Sequence, residues 1–507
     1  MIGVDQNTIL ALLPPAGVAL LAMLVVIVDM ARPARDRMLA IVAAGGLAVL
    51  MALTVIIGPL PGIGLLTGAQ EAFGSAYVRD SLTSLLDLLM MSIALLTILF
   101  GPDYLRPRGL PAAEFAAMVL FAVTGAMLIG GARDLLLLFL ALELLVLPGY
   151  LLAGYAKRDG LSTEGAIKYF LLGSFSSAIF LFGLVLVFGY TGTTNITEVA
   201  AAVSQALAGA GGLAPGLLMG LALLTTGAAF KIAAVPFHYW TPDAYQGSPT
   251  PVTGYLSVGP KVAAFALILR LFVDALGGLK ADWTPFVIVL AAATMTLGNL
   301  VALSQDNIKR MLAYSSIAHT GYILVGLAAF GGAPAGSPAE QAGLQSVLFY
   351  SVAYSFMNLG AFAVVAALQR RPGVTSQIAT FAGLGRRSPL LAALMLLFLL
   401  SLTGIPPLAG FWAKWYVIQA ALQVGGWLTL LAVLAVLNAT VAAFYYLRVA
   451  VYMYMRDASE TAPAVVVGGA TRAGLGLAAL GTVAIGLLPP VTIAVILVAE
   501  QAAQALL

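Results

Sequence analysis

The feature that most constrains this chain is a succession of apolar runs, each about twenty residues long, from residue 8 to residue 500. A hydrocarbon core about 30 Å thick takes about 20 apolar helical residues to cross. No water reaches backbone N–H and C=O groups there, so only helices or a closed barrel can span it. Runs this long and evenly apolar fit helices. The sequence therefore predicts an all-α integral membrane fold of about fourteen transmembrane helices. The spans lie near 8–30, 38–58, 81–100, 114–131, 134–155, 165–190, 215–246, 250–273, 284–303, 308–330, 342–368, 389–424, 427–453 and 472–500. Only 9% of residues are charged and the mean hydropathy is +1.03, whereas soluble domains are about 25% charged. The first run is long enough to stay as a span, and no basic segment before it marks a cleavable leader.

Lysine and arginine positions test the count. Fifteen of the 24 fall in loops of one side: Arg32, Arg35, Arg37, Arg106, Arg108, Lys157, Arg158, Lys309, Arg310, Arg370, Arg371, Arg386, Arg387, Arg456 and Arg472. The other side has Arg79, Arg133 and Lys280, and the rest fall inside spans. The positive-inside rule then places both termini outside, in a bacterial periplasm.

Two spans are too long. Residues 215–246 and 389–424 would make helices of about 48 Å and about 54 Å. Each carries breakers at an apolar depth: Pro236 in the first, and Gly404-Ile-Pro406-Pro407 in the second. Both are read as discontinuous helices. They are the seventh and twelfth spans, five apart, and an odd offset reverses direction in the membrane. Spans 4–8 and 9–13 are thus expected to form two inverted five-helix repeats, and matched broken helices in such repeats point to a transport path. The corresponding units are 1–112, 113–274, 284–454 and 455–507.

Some charges fall where lipid should not tolerate them. Glu143 lies mid-way along span 5 and Lys261 mid-way along span 8; Lys231 precedes the break in span 7, and Lys414 follows the break in span 12. Lys168 is one turn into span 6. A charge at the bilayer centre costs about 2.5–3.5 kcal/mol on insertion scales, so such residues need a partner, water or a task. A proton relay is one reading, because burial brings amines and carboxyls toward proton exchange near neutral pH. Salt bridges that hold helices together are the other, and for Lys168 snorkelling to the nearby interface is the simpler account. His319 in span 10 and His238 at the break suit either shuttling or structural hydrogen bonding. Asp29, Asp87, Arg270 and Arg448 fall near span ends, where snorkelling of the arginines is the default.

The chain contains no cysteine and only two histidines. That excludes thiolate-ligated iron–sulfur clusters and disulfides, and argues against a His-ligated haem pair or a multi-histidine metal site. No Walker loop or dinucleotide fingerprint follows a strand, and a net charge of +3 gives no nucleic-acid patch.

Four stretches carry a family resemblance: Glu-Gly-Ala-Ile-Lys168-Tyr-Phe-Leu-Leu-Gly; 230–249, around Lys231 and Val-Pro-Phe-His-Tyr-Trp-Thr-Pro-Asp; 303–322, from Leu-Ser-Gln-Asp-Asn-Ile-Lys309 to His319-Thr-Gly-Tyr; and Gly404-Ile-Pro-Pro-Leu-Ala-Gly-Phe-Trp-Ala-Lys414. On these the chain resembles the subunit N family of antiporter-like membrane subunits of bacterial proton-pumping NADH–quinone oxidoreductase, respiratory complex I. The resemblance runs from about span 4 through span 13. It implies that Glu143 modulates Lys231, that Lys261 is the central relay group and that Lys414 is the terminal one. Lys168 would tune Glu143 or feed the access path, and His319 would lie between the central and terminal lysines. It further implies that no cofactor is bound by this chain, with NADH, FMN, iron–sulfur clusters and quinone held in partner subunits. Neighbours would include antiporter-like subunit M and small membrane subunits such as K. Subunit M carries Glu where this sequence has Lys414, and subunit L is longer, with a lateral helix not expected here. Multisubunit Na⁺/H⁺ antiporters and membrane-bound hydrogenases share the fold and remain the alternative.

Overall fold

The computed structural model describes residues 6–31, 36–59, 68–208, 214–458 and 465–507. Arg32, Arg35 and residues 60–67 of the loop between the second and third spans lie outside these. Among the described residues, twelve helices are long and apolar enough to cross a membrane. The first part holds α1 (Gln6–Ala31), α2 (Asp36–Ile57), a hairpin of β1 (Gln70–Ala72) and β2 (Tyr77–Arg79), α3 (Ser81–Leu105) and α4 (Ala112–Gly131). Next come α5 (Leu135–Ala153), α6 (Gly160–Thr191), α7 (Ile196–Ala208), α8 (Pro215–Lys231), α9 (Trp240–Gly247) and α10 (Thr250–Ile268), which continues as a π-helix over Leu269–Ala275. They are followed by α11 (Lys280–Leu303), α12 (Ile308–Gly332), α13 (Pro338–Leu368), α14 (Leu384–Arg387), α15 (Pro389–Thr403), α16 (Ala409–Val424) and α17 (Trp427–Met455). The last two are α18 (Gly469–Leu487) and α19 (Pro489–Gln504).

Local chemistry sets the helix ends. Asp80, Asp134, Asp159, Asn307 and Ser337 each cap an N-terminus by accepting from backbone N–H groups of the first turn. Gly192 and Gly404 end α6 and α15 at φ 73° and 93°, a conformation that only glycine enters without strain.

The helices differ in how deeply they are buried. α2 has a mean hydropathy of 2.6, the highest of the twelve, and little of it is buried. α12 has the lowest, 1.3, and is buried almost throughout, as are α10 and α13. Lipid is the solvent here, so the polar groups of α10, α12 and α13 are satisfied where protein surrounds these helices. α11 and α12 approach closely because glycines meet across them. A Cβ on Gly298 would fall 2.6 Å from the Ala318 nitrogen, and one on Gly321 would fall 2.4 Å from that of Met295.

Several local readings change. The stretch read as one span at 472–500 is two helices, broken at Leu488, where Pro489 opens α19 without needing an N–H. α7 was not anticipated, because its buried Ile196, Val199 and Val203 form a helical stripe on only 13 residues, below span length. Arg270 does not snorkel. It is fully buried on the π-helix and donates to Asp80 (2.7 Å), Asp274 (3.0 Å) and the Gly130 carbonyl (2.8 Å), tying α3, α4 and α10 together. Lys309 is no solvated loop cation either. It is buried and donates to the carbonyls of Gln246 (2.8 Å) and Ser248 (2.5 Å) at the C-terminal end of α9, where the helix dipole favours a cation.

Candidate functional site

Both predicted breaks are present, between α8 and α9 and between α15 and α16. At the first, neighbouring side chains bond the freed backbone. Thr294 accepts from the Val235 N–H (3.0 Å), Thr320 donates to the Ile232 carbonyl (2.8 Å), and the Trp240 indole donates to the Phe230 carbonyl (3.2 Å). Val235–Pro236 and Pro406–Pro407, one in each break, are cis peptides. At the second break the Ser401 hydroxyl accepts from the Gly410 N–H (3.1 Å).

Three lysines meet these breaks and the helix between them. Lys231, the last residue of α8, is buried and donates to Ser177 of α6 at 2.9 Å. A cavity with room for about one water adjoins it, lined also by Tyr169, Trp240 and Pro260. Lys261 of α10 donates to both the carbonyl and the hydroxyl of Ser316 on α12, the latter at 2.6 Å. Lys414 of α16 donates to the carbonyls of Leu402 (3.1 Å) and Thr403 (2.7 Å), so the cation caps the C-terminal end of α15.

Hydroxyl and aromatic groups join the three. Thr320, one turn from Ser316 on α12, reaches back to the first break. Tyr354 of α13 donates to the Ser316 hydroxyl at 2.8 Å, and its ring stacks at a tilt 5.0 Å from that of His319. His319 bonds Tyr350 through Nδ1 (2.7 Å) and Tyr446 through Nε2 (3.3 Å). The Lys414 ammonium lies 4.7 Å from the centre of the Tyr322 ring, one turn along from His319. His319 is within electrostatic reach of both Lys261 and Lys414. Buried polar groups thus lie from the first break to the second, joined by hydrogen bonds at some steps and by ring packing or electrostatic proximity at others.

The two remaining acid–base candidates stand differently. Glu143 of α5 lies within electrostatic reach of Lys231, but among the described residues no ion pair joins them, and its Oε1 is buried without a hydrogen bond. Lys168 is not on the path. It is paired with Glu164 (2.6 Å) and Asp243 (2.7 Å), and Asp243 also binds Arg310 (2.7 Å). The salt-bridge account therefore describes Lys168. It does not describe Lys231, Lys261 or Lys414, which make no ion pair among the described residues. His238 sits in the first break, stacked on Tyr239.

The family described as NADH:quinone oxidoreductase/Mrp antiporter, transmembrane, matches residues 132–438. NADH-quinone oxidoreductase subunit N 1 of Koribacter versatilis is 44% identical over 84% of this chain and 82% of its own length. This chain belongs to the NADH-quinone oxidoreductase subunit N family. A chain of respiratory complex I from Thermus thermophilus superposes with TM-score 0.75 at 33% identity, covering 94% of this chain and 97% of that one. A chain of the Mrp complex from Dietzia sp. shares the fold, with TM-score 0.81 at 22% identity, over 99% and 98% of the two chains. The match to residues 132–438 contains all six candidate residues, Glu143 through Lys414. For this member of the subunit N family, sequence reasoning missed the neutral connectors: Ser177, Ser316, Tyr322, Tyr350, Tyr354 and Tyr446. A signal existed. Ser257 and Lys261, Ser316 and Thr320, and Tyr350, Tyr354 and Asn358 recur at four-residue spacing, so each set lines one face of a membrane helix.

Proposed function

We propose that the chain is the proton-translocating membrane subunit of an NADH–quinone oxidoreductase, moving protons along the path from Glu143 and Lys231 through Lys261 and His319 to Lys414. The observation that carries this reading is the set of three buried lysines with no ion pair among the described residues, bridged by hydroxyls and an imidazole. A membrane protein retains such costly groups for transport rather than for stability. Hydroxyl, imidazole and amine groups each both give and take a proton, as a relay requires. Lys168 and Asp243, with Glu164 and Arg310, lie at the mouth of the first half and feed or tune it. In this reading the fourteen spans form two inverted five-helix units, 113–274 and 284–454, between the flanking units 1–112 and 455–507, with both termini on the periplasmic side of a bacterial inner membrane. The electron carriers sit in partner subunits, and a subunit of type M and small subunits such as K are neighbours.

A second reading, subunit of a Na⁺/H⁺ antiporter without a redox partner, is favoured by the Mrp-like fold. A native gel of gently solubilised membranes carrying a tagged copy separates the two. Co-migration of the tag with one large NADH dehydrogenase-active band is expected. A tag found only in a smaller, inactive assembly puts the antiporter first.

A further inference from the structure

Where the hairpin meets α3, a second group of buried ionisable side chains lies away from the lysine path. Asp87 of α3 is fully buried, and among the described residues neither of its carboxyl oxygens accepts a hydrogen bond. Arg79, the last residue of β2, is also fully buried and within electrostatic reach of Asp87. It is held by the carbonyls of Leu10 (3.0 Å) and Thr54 (3.1 Å), and among the described residues its Nε has no partner. The hydroxyls of Tyr77 and Ser84 are likewise buried without partners among the described residues. Asp80 differs, being closed by Arg270 at 2.7 Å and approached by Arg133 at 3.8 Å. Arg270 in turn holds Asp274 at 3.0 Å. Among the described residues, the groups that act on Asp87 are Arg79 and Tyr77 of the hairpin and Asp80 at the N-terminus of α3.

Two costs oppose each other here. An ionised carboxylate without hydrogen bonds is unfavourable in an apolar interior. A neutral carboxyl leaves the Arg79 charge uncompensated. We propose that Asp87 is a proton-binding site gated by Arg79. With Arg79 docked on the Leu10 and Thr54 carbonyls, the carboxyl keeps its proton. When Arg79 turns onto Asp87, the O–H bond breaks, the guanidinium compensates the carboxylate left behind, and the proton leaves. The proton leaves for bulk water, and a vestibule of about 560 Å³, lined by Val78 and Asp80 on either side of Arg79, opens beside the hairpin. Because Arg79 belongs to β2, displacement of the hairpin alters the Arg79–Asp87 separation and so controls the site.

The site does not depend on the lysine path, and the test keeps the two apart. Infrared difference spectra of the assembled complex are compared between wild type and Asp87→Asn at neutral pH. A protonated-carboxyl band present in wild type and absent from Asp87→Asn is the expected result, and Lys261→Ala should retain that band. Identical spectra from wild type and Asp87→Asn overturn the proposal. If Asp87→Asn does not assemble, wild type grown with carboxyl-labelled aspartate decides. A label-shifted protonated aspartate band that moves in Arg79→Gln supports the site, and absence of such a band, or one indifferent to Arg79→Gln, overturns it.

Discussion

Ser316 shows how much one residue carries. Its hydroxyl accepts from Lys261 and from Tyr354, and its carbonyl holds the same ammonium. Ser316→Ala keeps the carbonyl and removes the relay oxygen. The loss of a net hydrogen bond, about 1 kcal/mol, predicts coupled proton transfer slowed about fivefold with assembly intact. Proton uptake by proteoliposomes at saturating donor checks this, and an unchanged rate removes Ser316 from the path. Lys168 should behave differently. Its side chain is 42% exposed, and its ion pairs face a partly solvated rim, where water screens such pairs and they stabilise little. Lys168→Met should therefore lower the thermal midpoint of the complex by at most a few degrees. Arg270→Leu should be far more damaging. It strands Asp80 and Asp274, and removal of one partner from a buried pair costs about 3–5 kcal/mol. Loss of assembled complex on a native gel is the expected readout.

At the scale of elements, backbone geometry decided what was legible. The two breaks could be read because a helix of 32 or more apolar residues overshoots a bilayer and both stretches contain prolines. The split at Leu488 escaped because 472–500 is no longer than unbroken membrane helices of this chain such as α17, which has 29 residues. The charged path residues were legible by their cost in lipid, but their hydroxyl connectors were not, since serine and tyrosine are tolerated there and announce themselves only by spacing. Arg270 and Asp87 were misjudged for a related reason: nearness to a predicted span end says nothing about the hairpin and α4 that cover them. Glycine packing is the firmest element-scale prediction. Gly321→Leu would drive a side chain into the backbone of α11 at Met295. Overpacking of this kind costs about 1–3 kcal/mol or more, and it should part α11 from α12, lowering both the thermal midpoint and proton transfer. A Gly321→Ala variant with unchanged midpoint would contradict the close approach.

For the whole molecule, burial of α10, α12 and α13 at the centre is what gives the proposed path its interior. α10, α12 and α13 are held where lipid does not reach, so their polar faces meet one another across the interior. Both broken helices then bring a lysine onto that interior. A structural glue of salt bridges would have paired those lysines with carboxylates, and among the described residues it pairs Lys168 and Lys280 so, but not Lys231, Lys261 or Lys414. If protons rather than sodium use this path, proton movement driven by quinone reduction should persist in sodium-free proteoliposomes with no change beyond measurement scatter. A strict sodium requirement would move the antiporter reading forward. The most direct test of the central claim is the ratio of protons moved to electrons transferred by an assembled Lys261→Ala complex reconstituted in proteoliposomes. The lysine path predicts that this variant assembles but loses most of its proton transfer and its coupled quinone reduction, general acid–base groups commonly contributing about 100-fold or more. A normal ratio at a normal rate would show that the protons travel elsewhere.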